Sequence, residues 1–214
     1  MTKTALLAGS TGLIGGQLLQ LLLNDQRYAS VIAISRTPLT VAHPKLLNVV
    51  CELKDVTAHR EQLKADDVFC CLGTTIKKAK SKEAFRAVDF EAPLALAKMA
   101  KEQGAQKYLL VSSLGANKDS GIFYNQVKGE VEAAVQQVGL PSLHIVRPSL
   151  LLGPRQEERS GEDAAKIFYK LFGFLVPEKY QAIESIKIAR ALLAFAHEGT
   201  EGRVVHESKE LQKY

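Results

Sequence analysis

Thr4-Ala-Leu-Leu-Ala-Gly9-Ser-Thr-Gly12-Leu-Ile-Gly15 is an apolar run that breaks into three glycines at a spacing of three. Residues 4–8 are continuously apolar, as a strand buried on both faces requires. Residues 14–24 carry leucines at 18, 19, 21, 22 and 23 and read as a helix. Strand, glycine turn and helix in that order bring backbone N–H groups and a helix N-terminus to one place, where an anion is favoured. One glycine makes the turn, one admits a pyrophosphate to the backbone, and one lets the helix pack on the strand. The pattern is G-x-x-G-x-x-G rather than the commoner G-x-G-x-x-G. Gly9, Ser10, Thr11, Gly12, Leu13, Ile14 and Gly15 are therefore the expected dinucleotide cradle. The bland alternative is a tight turn with no ligand.

Outward from this stretch the alternation continues. Residues 31–35, 47–51, 67–72, 108–112 and 142–146 read as further strands, and residues 82–104 and 122–138 as helices. Apolar strands alternating with helices predict an α/β fold, a doubly wound (Rossmann-type) parallel sheet. The last third differs. Residues 153–161 form a polar, turn-rich link; helices are expected over 162–172 and 185–197, with a short strand over 203–206. We expect a single NAD(P)-binding domain over residues 1–214, with residues 153–214 as a small helical cover on the substrate side, at the carboxyl ends of the strands.

The bulk numbers exclude several classes. A net charge of +5 spread over 214 residues is no nucleic-acid footprint, and no aromatic residues interleave the basic ones. No run of about 18 apolar residues suggests a membrane span. Gly9, Gly12, Gly15 and Gly16 interrupt the N-terminal apolar stretch, which argues against a signal peptide. Cys51, Cys70 and Cys71 are odd in number, lie in apolar runs and fit no zinc spacing. Together these lead to the expectation of a reducing compartment and a cytoplasmic protein.

The end of the second strand selects between cofactors. An acid about 20 residues past the glycines would bond ribose hydroxyls and suit NAD. Ser35-Arg36-Thr37 stands there instead, and the planar fork of Arg36 suits a 2′-phosphate. NADP(H) is expected, the plain alternative being a solvated arginine.

Tyr124 and Lys128 stand four residues apart, so a helix puts them on one face. A neighbouring ammonium favours the ionised form of a phenol, which suits acid–base work. Ser112 and Ser113 end the fifth strand, Ser113 eleven residues before Tyr124. A hydroxyl there can bond a carbonyl oxygen as charge builds on it. Ser113, Tyr124 and Lys128 are the expected catalytic residues, with Lys128 also able to hold the nicotinamide ribose. An isolated Y-x-x-x-K is more often an exposed helical pair; its place after the fifth strand, with serines before it, favours the functional reading.

These motifs together resemble the short-chain dehydrogenase/reductase superfamily. More narrowly, the chain is similar to its atypical branch of Tat-interacting oxidoreductase-like proteins. The resemblance rests on Cys71-Leu-Gly-Thr-Thr75, Ser112-Ser-Leu-Gly-Ala116, Gln126-Val-Lys-Gly-Glu-Val-Glu-Ala133, Arg147-Pro-Ser-Leu-Leu-Leu-Gly153 and Arg155-Gln-Glu-Glu-Arg-Ser-Gly-Glu162. It implies an NADPH-binding domain with the three catalytic residues at its cleft. Leu72, Gly73, Thr74 and Thr75 would border the cofactor after the fourth strand, with Ser112, Tyr124 and Lys128 beside it. Pro148 and Leu150 would lie near the nicotinamide after the sixth, and Arg147 is counted among the cofactor-binding residues. The chain departs from the pattern in two places: two adjacent serines compete for one role, and Asp89 stands where many relatives carry asparagine.

Other candidates are weaker. Lys77, Lys78, Lys80 and Lys82 form a basic cluster that could attract phosphate or an acidic partner, though a solvated, mobile loop is the favoured reading. Arg155, Arg159 and Glu162 could line the cleft or pair on the surface. Phe168, Tyr169, Phe172 and Phe174 could pack the cover or wall a substrate. Three functions compete. The first is an NADPH-dependent oxidoreductase acting on a small carbonyl substrate. The second is an NADPH-binding regulatory or interaction protein that reports cofactor state to a protein partner; self-association into a homo-oligomer is a separate expectation. The third, a nucleotide-sugar epimerase or dehydratase, is disfavoured by the short C-terminal region.

Overall fold

The structure, a computed structural model, describes residues 2–153 and 180–214. Its first half runs β1 (Lys3–Ala8), α1 (Leu13–Asn24), β2 (Tyr28–Ser35), β3 (Leu46–Val50), a 3₁₀ segment (Leu53–Leu63) and β4 (Asp67–Cys70). Two short helices follow, α2 (Ile76–Ala79) and α3 (Lys82–Arg86), then a π turn (Ala87–Glu91) and α4 (Ala92–Glu102). The second half runs β5 (Lys107–Val111), α5 (Phe123–Val138), β6 (Ser142–Arg147), β7 (Leu151–Leu152), β8 (Ile183–Glu184), α6 (Ser185–His197), β9 (Gly202–Glu207) and α7 (Ser208–Leu211).

All seven long strands pair in parallel, in the order β3-β2-β1-β4-β5-β6-β9. The order reverses between β1 and β4, which opens a crevice at their carboxyl ends. Side-chain alternation divides each strand between two cores. On β1, Ala5 and Leu7 pack with α1 and α6, whereas Leu6 and Ala8 pack with α4 and α5. Both faces of the sheet are therefore covered, which explains why the strands read as continuous apolar runs.

Polar residues at the amino ends of the strands are structural. Asp67, fully buried, accepts from Lys3 and from the Tyr28 hydroxyl at 2.8 Å. Lys107 donates to the carbonyls of Ala196 (2.9 Å) and Glu198 at the C-terminus of α6, where the helix dipole favours a cation.

Residues 82–104, expected as one helix, are interrupted. Ala92 donates to the carbonyl of Ala87, five residues back, and Pro93 has no N–H for the carbonyl of Asp89. The resulting π turn holds Asp89 fully buried. Of the cover expected over residues 153–214, the described part is built largely into the main layers. α6 packs on α1, and β9 extends the sheet beyond β6. The link over 154–161, the helix over 162–172, and Arg155, Arg159, Glu162, Phe168, Tyr169, Phe172 and Phe174 lie outside the described residues. Among the described residues, no helix is long and apolar enough to cross a membrane.

Candidate functional site

The glycine turn sits at the crevice. Gly9 has φ +87°, and a Cβ on it would lie 2.5 Å from the carbonyl oxygen of Cys71, where β4 ends. A Cβ on Gly15 would collide with the carbonyl of Gly9, so this glycine lets α1 press against the turn. Gly12 differs. It is exposed and extended (φ −81°, ψ 172°), and a Cβ there would meet only the Gly9 oxygen, at 3.3 Å. No side chain caps α1, so its first N–H groups remain available to an anion. A backbone cradle that a side chain would fill, at an uncapped helix N-terminus, fits the pyrophosphate of a dinucleotide.

The hydroxyls of Ser10, Ser35 and Thr75, three of the expected cofactor-binding residues, have partners within the protein. Ser10, buried, donates to the carbonyl of Ile34, and Ser35 donates to that of Thr37. Thr75 caps α2 by accepting from Lys78. Ile14 is buried in the α1 core and Leu13 is half-buried. Thr11 and Arg36 are exposed, Arg36 at the end of β2. Asn48 was not anticipated. Its amide donates to Ala33 and Ser35 and its oxygen accepts from the Leu39 N–H, which shapes the loop that carries Arg36. The signal for it was a lone amide in an apolar strand.

On the far side of the crevice, α5 presents Tyr124 and Lys128. Tyr124 is half-buried, its ring centroid 5.7 Å from that of Phe85. The Lys128 ammonium lies 2.7 Å from the carboxylate of Asp89. Burial alone discourages the lysine charge, but Asp89 foremost, then Tyr124, outweigh it and hold the ammonium above its ordinary range. The other Asp89 oxygen accepts from the Thr74 N–H at 2.9 Å. The pair stands against Gly73, where a Cβ would lie 3.6 Å from Asp89 and 3.9 Å from the ammonium. The loop after β4, with Leu72 half-buried in the core, is thereby fastened to the helix that carries the tyrosine.

The two serines separate. Ser112 donates to Glu132 at 2.5 Å, whereas the buried Ser113 hydroxyl has no partner among the described residues. Arg147, expected among the cofactor-binding residues, is engaged by two carboxylates. Its guanidinium grips Glu132 at 2.6 and 3.0 Å and Glu207 at 3.0 Å. Pro148 contributes its carbonyl, which accepts from the Leu114 N–H, and Leu150 stands exposed with its carbonyl bonded to Ile183. The basic cluster is no loose loop: it includes the helical turn α2, and Lys82 lies 5.2 Å from the centre of the Phe123 ring.

Comparison with known proteins supports an NAD(P)H-binding domain of this fold. A family model described as NAD(P)H-binding matches residues 9–196. Protein HTATIP2 of Rattus norvegicus is 36% identical over 198 residues, covering 89% of this chain and 80% of the relative. Protein FMP52, mitochondrial, of Debaryomyces hansenii is 34% identical over 205 residues, covering 91% and 88%. Among solved structures, the Bordetella bronchiseptica enzyme WbmH in complex with NAD+ superposes with a TM-score of 0.74 at 17% identity, covering 97% of this chain and 76% of that one. The UDP-N-acetylglucosamine 4-epimerase of Methanobrevibacter ruminantium matches equally well, at 0.74 and 19%, covering 96% and 76%. At such identities the structures establish the shared fold.

The cytoplasmic expectation does not survive this comparison. Fungal relatives from Lodderomyces elongisporus, Debaryomyces hansenii and Candida albicans are all named as mitochondrial. Cys51 and Cys70 are buried, Cys71 is half-buried and none forms a disulfide, and that alone does not identify a compartment.

Proposed function

The chain belongs to the NAD(P)H-binding family, and on that premise we propose that it is an NADPH-dependent oxidoreductase that reduces a small carbonyl substrate. The observation that carries this reading is the buried, unengaged hydroxyl of Ser113, taken with the ion-paired Lys128 one turn after Tyr124. Gly9, Gly12 and Gly15 with the N-terminus of α1 hold the pyrophosphate, and Arg36 meets the 2′-phosphate. When bound, the nicotinamide supplies the hydride that adds to the carbonyl carbon. Ser113 donates a hydrogen bond to the carbonyl oxygen as negative charge develops there. Tyr124 delivers its proton to that oxygen and so completes the alcohol. Lys128 stabilises the phenolate left behind, and Asp89 keeps the lysine charged and in place.

Two measurements test the reading together. Calorimetric titration should give micromolar NADPH binding and much weaker NADH binding. Aldehydes, ketones and quinones are then screened with wild type and Tyr124→Phe. We expect a substrate whose turnover falls about a hundredfold or more in the variant. A true substrate reduced equally fast by Tyr124→Phe would refute the role of the tyrosine.

A further inference from the structure

Glu132 is buried in the protein, its side chain 3% exposed, and it lies outside the three residues given roles in the chemistry. Its carboxylate takes the Ser112 hydroxyl at 2.5 Å and two arms of Arg147 at 3.0 and 2.6 Å, with Arg203 at 3.7 Å. These partners come from the end of β5, from β6 and from β9. Each of the first two sits beside part of the site. Ser112 precedes Ser113, and its N–H donates to Val146 on β6. Arg147 precedes Pro148, whose carbonyl holds the N–H of Leu114 at 2.8 Å. Glu132 itself stands on α5, one turn beyond Lys128 and two beyond Tyr124.

The same loop is fastened again further on. Asn117 donates to the carbonyl of Asn125 at 3.0 Å. Gly129, where a Cβ would collide with the backbone of Asn117 and Lys118, lets the loop lie directly on α5. An apolar side chain would fill the space of Glu132 without the cost of desolvating a charge. A carboxylate gripped by a planar guanidinium fork and a hydroxyl adds direction, because each bond fixes both distance and angle. This supplies what a catalytic serine needs, since small displacements of a reacting group cost large factors in rate.

We propose that Glu132, through Ser112 and Arg147, is a positioning residue that holds Ser113 in register with Tyr124 and Lys128. The inference rests on the oxidoreductase reading above. It assigns Ser112 to the scaffold and Ser113 to the substrate.

The test compares wild type, Glu132→Gln and Ser112→Ala by three readouts: steady-state kinetics on the substrate found above, NADPH affinity by calorimetry, and amide hydrogen exchange by mass spectrometry. Glu132→Gln keeps the shape and removes the charge. Ser112→Ala removes one bond and leaves the ion pair with Arg147, so it serves if the first variant does not fold. We expect kcat to fall between about tenfold and a hundredfold, with NADPH affinity within about a factor of two. Exchange should quicken in residues 112–118 and stay as in wild type across β1 and α1. Unchanged kcat and exchange in a folded Ser112→Ala protein would overturn the proposal. So would loss of kcat together with NADPH affinity and a uniform rise in exchange, which marks a general loss of structure. If wild type binds NADPH but reduces no carbonyl, the oxidoreductase reading fails. Exchange that stays at the wild-type level in residues 112–118 of both variants overturns the tether separately.

Discussion

The ammonium of Lys128 and the carboxylate of Asp89 meet at 2.7 Å with side chains 6% and 0% exposed, so each buried charge is the other's main compensation. Thirty-nine residues separate them in the chain, and the π turn ahead of Pro93 holds Asp89 buried within reach.

Breaking the pair from one side leaves a charge buried without a partner. Asp89→Ala should cost about 3 kcal/mol and lower Tm by about 6–12 °C. Asp89→Asn should cost less, because the amide oxygen can still accept from Thr74. The double variant Asp89→Ala with Lys128→Met should recover part of the loss, since both charges are then gone. Thermal melts of wild type, Asp89→Ala, Lys128→Met, the double variant and Asp89→Asn check this; strictly additive losses in the two single variants would contradict the coupling.

The glycines of the turn should separate by function. A Cβ at Gly12 meets one oxygen at 3.3 Å, so Gly12→Ala should melt within a few degrees of wild type. It should still lose most NADPH affinity, because the methyl occupies the space in which backbone approaches pyrophosphate. Gly15→Ala collides with the Gly9 backbone and should lose stability as well as binding. Melting curves beside cofactor titrations distinguish them, and equal melting losses in the two variants would remove the argument.

Arg36 is exposed at the end of β2, on a loop shaped by Asn48. Arg36→Ala should weaken NADPH about ten- to a hundredfold, the worth of charge-assisted bonds to one phosphate, and leave NADH unchanged. Parallel titrations with both cofactors measure the ratio. A matched loss for both would assign Arg36 to the fold rather than to the 2′-phosphate.

A fourth expectation concerns acid stability. His144, fully buried, meets His206 at 3.0 Å, and His206 meets Glu210 at 3.1 Å. The carboxylate of Glu210 accepts from Nδ1 of His206, which leaves Nε2 of His206 to accept from His144. Burial first, then His206 and Lys107, push His144 down to about 4. Its folded value lies below the unfolded one, so the stability it protects is complete above about pH 6.5 and is lost as pH falls toward 4. The loss should be about 3 kcal/mol, or about 6–12 °C in Tm. His197 is held down in the same sense, again by burial first. In His144→Gln the slope of Tm between pH 7 and 4.5 should flatten; parallel curves for wild type and variant would rule His144 out as its source.

The strands, the main helices and the glycine turn were legible in the amino-acid order. Side-chain alternation, helical spacing and the need for φ above zero at Gly9 are all set within a few residues of chain. The spacing of Tyr124 and Lys128 belongs to the same class, because one helical turn fixes it. What tertiary structure decided were the partners of long polar side chains. Ser112 and Ser113 are indistinguishable as neighbours, and only Glu132, twenty residues on, engages the first and leaves the second unpartnered among the described residues. Arg147 has the charge to meet a phosphate, but two carboxylates brought together by α5 and β9 hold it. Asp89 looked like a departure from pattern until the π turn set it against Lys128. Periodicity is a local property, whereas an ion pair needs two elements packed at a fixed distance, and that distance exists only once the sheet and helices have assembled.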